Sequence, residues 1–172
     1  NVDLNNLKFI NIISEDALNI ISSTFSIKNS NFTNIYFDGI DIDFGKGNID
    51  NLYFQNIKND GIDLSGSNVK IDQIIFDSVG DKAISVGEGS NVEISKINVN
   101  NSKISIASKD NSIVNAKNVQ SNSVKYPFIS YKKKNEYGGG KLIISEFSSS
   151  NYFNEFVKDE ESIIIDLDSR RN

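Results

Sequence analysis

The 172-residue chain contains no cysteine, histidine, methionine or tryptophan, and one proline, Pro127. Without cysteine, disulfide frameworks, thiolate metal sites and cysteine nucleophiles are excluded. Without histidine, the Ser-His-Asp triad, histidine-ligated metals and imidazole acid–base chemistry go too. The only arginines, Arg170 and Arg171, stand at the C-terminal end, so an arginine clamp inside the domain is not available. Eighteen Lys+Arg face 23 Asp+Glu for a net charge of -5, which leaves no electrostatic footprint for nucleic acid or an anionic membrane. No apolar run reaches the length of a membrane span, and the N-terminus lacks the basic-then-apolar plan of a signal peptide. The chain opens at Asn1 without Met, which points to a piece of a larger, secreted or surface protein whose signal lies elsewhere.

What is present is Ile, Asn and Ser in abundance. β-Branched residues interleaved with corner-forming polar ones read as β-structure with many tight turns. Self-similarity is the informative feature. The segments SEDALNII (14–21), YFDGIDIDF (36–44), KNDGIDLSG (58–66), VGDKAISVG (79–87) and NNSKISIAS (100–108) share one plan. Their first apolar residues, Leu18, Ile40, Ile62, Ile84 and Ile104, are 22, 22, 22 and 20 residues apart, and Phe128 extends the series after 24. A second element, L-x-x-L-x-F-x-x-I, occurs at Leu4–Ile12, Ile49–Ile57 and Ile71–Val79, and more weakly around Ile27 and Ile94. One residue before its closing position runs a ladder of Asn11, Asn34, Asn56, Ser78 and Asn101.

A 20–25-residue period of short alternating segments predicts an all-β fold, a right-handed parallel β-helix of about seven rungs. Equivalent residues then stack about 4.8 Å apart, Ile62 and Leu64 inward, Asp63 and Ser65 outward. Asn at the corners tolerates the left-handed conformation and offers its amide to its neighbours. A leucine-rich horseshoe is the competing solenoid, but its second half should be helical, and here that half alternates. The rungs fall at 2–23, 24–45, 46–66, 67–89, 90–110, 111–140 and 141–166. Residues 131–141 form a projecting polar loop, and 142–172 supply the last rung and a cap built on Tyr152, Phe153 and Phe156. The N-terminal rung shows no cap, so a further segment or a second copy stacked end to end is expected there.

The stretches NDGIDLSGSNVKI and VGDKAISVGEGSNVEI resemble the pectin-lyase-like β-helix proteins, and uncharacterised bacterial surface β-helix domains in particular. Asn59, Asp60, Gly61, Ile62, Asp63, Gly80 and Asp81 are similar to the polygalacturonase motifs, but Lys82 replaces the second Asp of the G-D-D pair. The resemblance implies either a non-catalytic structural or glycan-recognition module, or a polysaccharide-modifying enzyme using Asp60, Asp81 and Lys82. An inverting glycosidase needs an acid and a base carboxyl about 6.5–9.5 Å apart, and Lys82 works against the raised-pKa acid. Asp41, Asp63, Ser85, Tyr36 and Tyr53 are the expected contacts to a glycan. Asp38, Asp41, Asp43, Asp60 and Asp63, crowded on two rungs, are the alternative Ca²⁺ ligands. The repetition of Asp16, Asp38 and Asp60 fits a structural ladder equally well. The lysine-rich loop with Tyr131 and Tyr137 can meet an acidic partner.

Overall fold

The computed structural model describes residues 1–169; Arg170 and Arg171 lie outside the described residues. Those residues form twenty strands and no α-helix, paired in parallel throughout. The chain is a parallel β-solenoid of about 8 turns with a period of about 22 residues. The extra turn is the short strand Ile163–Asp166, which pairs with Lys141–Ile144 and begins an eighth coil. The absence of helix excludes the leucine-rich horseshoe.

Each full coil has three faces. The first stacks Val2–Asn5, Thr24–Lys28, Lys46–Asp50, Asn68–Asp72 and Asn91–Ile94. The second stacks Lys8–Ile10, Asn31–Ile35, Tyr53–Ile57, Ile74–Val79 and Ile97–Asn100. Long strands Ile113–Asn122 and Lys141–Ser150 run across both of these faces. The third face stacks Asp16–Ile21, Asp38–Asp43, Ile62–Ser65, Lys82–Gly87, Ile104–Lys109, Tyr126–Tyr131 and Phe156–Lys158.

The interior is a set of columns. Leu18, Ile40, Ile62, Ile84, Ile106 and Phe128 are register partners in turn, each 22 residues after the last. The sequence reading placed Ile104 in this column; Ile104 pairs with Lys82 instead, and the period holds without interruption. The rings of Phe9, Phe32, Phe54 and Phe76 stack with centroids 4.6, 4.7 and 4.8 Å apart, matching the spacing between parallel strands. Gly39 and Gly61 stand where a Cβ would come 2.8 and 2.6 Å from those rings, so the Phe column excludes a side chain at this corner.

The corner between second and third faces is the Asn ladder. Asn11, Asn34, Asn56, Ser78 and Asn101 all have φ between 51° and 67°. The Asn34 amide donates to Asn11 Oδ1 at 3.0 Å and that of Asn56 to Asn34 Oδ1 at 3.1 Å. A second ladder, at the corner between third and first faces, escaped the sequence reading. The N–H of Gly45 donates to Ser67 Oγ, that of Ser67 to Ser90 Oγ and that of Ser90 to Ser112 Oγ, at 2.9, 2.9 and 3.1 Å. These buried hydroxyls satisfy corner amides that would otherwise lack partners.

Phe156–Lys158 and Ile163–Asp166 continue the coil, pairing with Phe128–Ser130 and Lys141–Ile144. Phe156 stacks on Phe128 at 5.5 Å, while Tyr152 and Phe153 point outward, Phe153 77% exposed.

Candidate functional site

The third face collects most of the polar residues singled out in the sequence. Asp16 pairs in register with Asp38, and the row Asn19, Asp41, Asp63, Ser85, Ala107, Ile129 runs beside it. Successive coils thus bring Asp16, Asp38, Asp41, Asp43 and Asp63 onto one patch. Asn19 partly relieves the crowding, donating its amide to Asp16 Oδ2 at 3.1 Å and to Asp41 Oδ2 at 3.0 Å. Burial, reinforced by the charges of Asp43, Asp16, Asp63 and Asp38, pushes the Asp41 carboxyl up to about 7. Burial also raises Asp38 to about 6, against the hydrogen bond it accepts from the Asp60 N–H, and raises Asp43. No group of three or more acidic side chains among the described residues is arranged to hold a metal ion.

The Asp-Gly corners have a backbone task. Asp38 Oδ1 accepts the N–H of Asp60 at 2.8 Å, and Asp60 Oδ1 accepts the N–H of Lys82 at 3.0 Å, each 22 residues on. Each carboxylate therefore caps the next coil, which accounts for the repeated motif without chemistry at a substrate.

Asp60, Asp81 and Lys82 do come together, as a closed network. Lys82 Nζ is 3.1 Å from Asp60 Oδ1 and bonds Asp81 Oδ2; Lys103 Nζ meets Asp81 Oδ1 at 2.6 Å. Asp60 is 3% and Lys82 8% exposed. Burial opposes the charge on Lys82, but Asp60 and Asp81 outweigh it and raise the ammonium well above the usual lysine range. Burial likewise works against ionised Asp81, yet the hydrogen bonds from Lys103 and Lys82 hold it below the ordinary carboxylate range. Burial pushes Asp60 up while the Lys82 ammonium pulls it back. Each charge in the cluster is thus paired within it, with Asp60 and Lys82 buried and Asp81 and Lys103 nearer the surface.

Lys109 is a buried lysine that sequence reasoning missed. It is 4% exposed and its Nζ lies 3.7 Å from Asp63 Oδ1. Its path crosses Gly87, where an added Cβ would come 3.4 Å from Lys109 Cε. Burial lowers its pKa, with Asp63 opposing. Lys109 is the register partner of Tyr131, two residues along its strand from the row in which Ser85 stands; Ser85 is fully buried and its Oγ has no hydrogen-bond partner. Ser85 is thus not on open surface, which corrects its expected role as a glycan contact.

The 131–141 segment is anchored. Asp110 Oδ1 accepts the N–H groups of Lys133 and Lys134 at 2.7 and 2.8 Å, and Asp159 Oδ2 that of Lys132 at 2.7 Å. Lys134 pairs with Glu88, and Lys132 with Glu161 at 3.2 Å. Two of the three lysines, Lys132 and Lys134, thus have acidic partners within the chain.

The expected aromatic contacts are parted. Tyr36 is exposed beyond the Asn corner. Tyr53 lies on the second face, next in register to Ile75, beside a groove of about 770 Å³ that no sequence motif announced. No family model, curated protein or solved structure gives a significant match to this chain.

Proposed function

We propose that the chain is a non-catalytic, pectin-lyase-like β-helix module, a scaffold with a glycan-recognition surface in a secreted or cell-surface protein. The observation that carries the reading is the Lys82–Asp60–Asp81–Lys103 network, in which Asp60 and Lys82 are buried. The residues most like a polysaccharide-cleaving centre spend their charges on one another, and Asp60 also caps the next coil. Glycosidic hydrolysis requires a carboxylic acid beside a carboxylate base, both reaching the scissile bond. A lysine lodged between the two candidates suits structure better than proton transfer. A β-solenoid presents polar side chains at the strand spacing along its length, a regular set of donors and acceptors for a hydroxyl-rich chain.

The test is incubation of the purified protein with polygalacturonate and alginate, following reducing ends and unsaturated products. The expected result is no release above buffer, and the same for Asp60→Asn. Cleavage that disappears in Asp60→Asn at an unchanged melting temperature would overturn the non-catalytic reading.

A further inference from the structure

The third face is the weaker place to look for the recognition surface. Its row is buried at Ser85 and Ala107, and its open part is a patch of crowded carboxylates. The second face differs in each respect. Along its outward row Tyr53, Ile75, Asn98 and Gln120 follow one another in register. The last three line the groove of about 770 Å³, which runs between this row and the corner residues Asn51, Gln73, Lys96 and Asn118, and Tyr53 stands one coil beyond them. Ile75 is 45% exposed on the groove floor, a large apolar side chain at an outward strand position. Tyr53 continues that apolar strip.

The polar groups around it are mostly uncommitted amides. Among the described residues, no side-chain hydrogen bond is made by Gln73, Asn98 or Gln120, whereas Asn51 and Asn118 donate to Asn29 Oδ1 and the Ser95 carbonyl. Lys96 interrupts the run of corner amides. The two charges bordering the groove, Lys96 and Glu146, are opposite in sign, and Glu146 is paired with Lys117 at 3.1 Å. The lining therefore carries one charge of each sign, is rich in both donors and acceptors, and is floored by Ile75, with Tyr53 continuing its row on the neighbouring coil. An anionic polymer finds a single lining lysine here, Lys96, with the carboxylate of Glu146 on the same groove. An added peptide strand finds no free edge, because the groove lies across paired strands.

We propose that this groove binds an uncharged, linear polysaccharide lying along the solenoid axis. Tyr53 and Ile75 lie under the sugar rings, while the amides of Asn98 and Gln120 bond hydroxyl groups from successive coils. The combination of an apolar platform with a few placed amides is what a polar yet uncharged ring requires. This inference rests on the glycan-recognition reading above and locates it on the second face.

Affinity electrophoresis in native gels cast with hydroxyethyl cellulose, galactomannan, soluble starch or polygalacturonate tests it, with Tyr53→Ala, the double variant Asn98→Ala/Gln120→Ala, and Lys70→Ala on the first face as control. The expected result is retardation by at least one neutral polymer, weakened tenfold or more by either groove variant and unchanged by Lys70→Ala. Thermal melts of each variant confirm that it is folded. Retardation that the groove variants leave intact, or that Asp41→Asn/Asp63→Asn abolishes instead, overturns the groove while the glycan reading stands. Retardation by polygalacturonate alone does the same. No retardation by any polymer overturns both.

Discussion

Asp41 is the residue whose replacement should make the protein more stable. Its carboxyl is held at about 7 against an ordinary value of 3.8, because burial and four neighbouring carboxylates disfavour the anion. Between those two values the folded state binds more protons than the unfolded one, so stability falls as the pH rises. The protein is favoured below about pH 4, and the full penalty is in place above about pH 7. For a fully buried group that penalty is about 4 kcal/mol. Asp41 is only half-buried, and solvent screening reduces the figure to about 1–2 kcal/mol. Asp41→Asn removes the charge, keeps an oxygen to accept the Asn19 amide, and presents an amide to Asp63, extending the kind of ladder seen at the Asn corner. At about 2–4 °C per kcal/mol for a chain of this size, the variant should melt about 2–8 °C higher than wild type at pH 8. At pH 4, where Asp41 is protonated, the two should nearly coincide. Circular-dichroism melts at both pH values decide it. An Asn variant that melts no higher at pH 8, or gains equally at pH 4, refutes the argument from carboxylate crowding.

Other substitutions probe separate parts of the structure. Lys82→Met strands the buried Asp60 charge, Asp81 keeping Lys103, and should cost about 3–5 kcal/mol, read as a lowered denaturation midpoint; Lys82→Met with Asp60→Asn should recover part of it. Phe54→Ala opens the middle of the aromatic column and should cost about 3–5 kcal/mol in the same measurement. Asn34→Val forces a β-branched residue into a left-handed corner and removes an amide link, so it should lose more than about 1–2 kcal/mol, whereas Asn34→Gly should lose much less.

The period, the inward and outward alternation and the Asn corner were legible because each rests on local stereochemistry. The 22-residue spacing of Leu18, Ile40, Ile62 and Ile84 holds in the folded chain, as do the left-handed corners. Ile104 was misplaced for a physical reason. Side-chain direction in a strand repeats every two residues, so Ile104 and Ile106 fit the alternation equally well. Only the pairing of Ile84 with Ile106 separates them. The serine ladder was hidden because a serine in a turn is ordinarily solvated; Ser67, Ser90 and Ser112 are buried only because each hydroxyl meets an amide 22 or 23 residues earlier. Lys109 was invisible because its reach across Gly87 to Asp63 depends on side-chain extension, which no repeat records. The groove has the same character, being a concavity between two rows that in sequence look like solvated asparagines and glutamines. Asp60, Asp81 and Lys82 adjoin on neighbouring coils, but the closure of their charges upon one another depends on distances that no spacing records.

The central claim is that the chain winds so that Lys8, Asn31 and Gln120 occupy one outward row, one and four coils apart. The absence of cysteine makes paired spin labels clean, since every introduced thiol is the only one of its kind. Electron–electron double resonance between labels at Asn31 and Gln120 should peak near about 19 Å, four strand spacings, although 89 residues of chain separate them. Moving the first label to Lys8 should lengthen the distance by about 5 Å. Distances that do not grow by one strand spacing per coil would contradict the stacked solenoid.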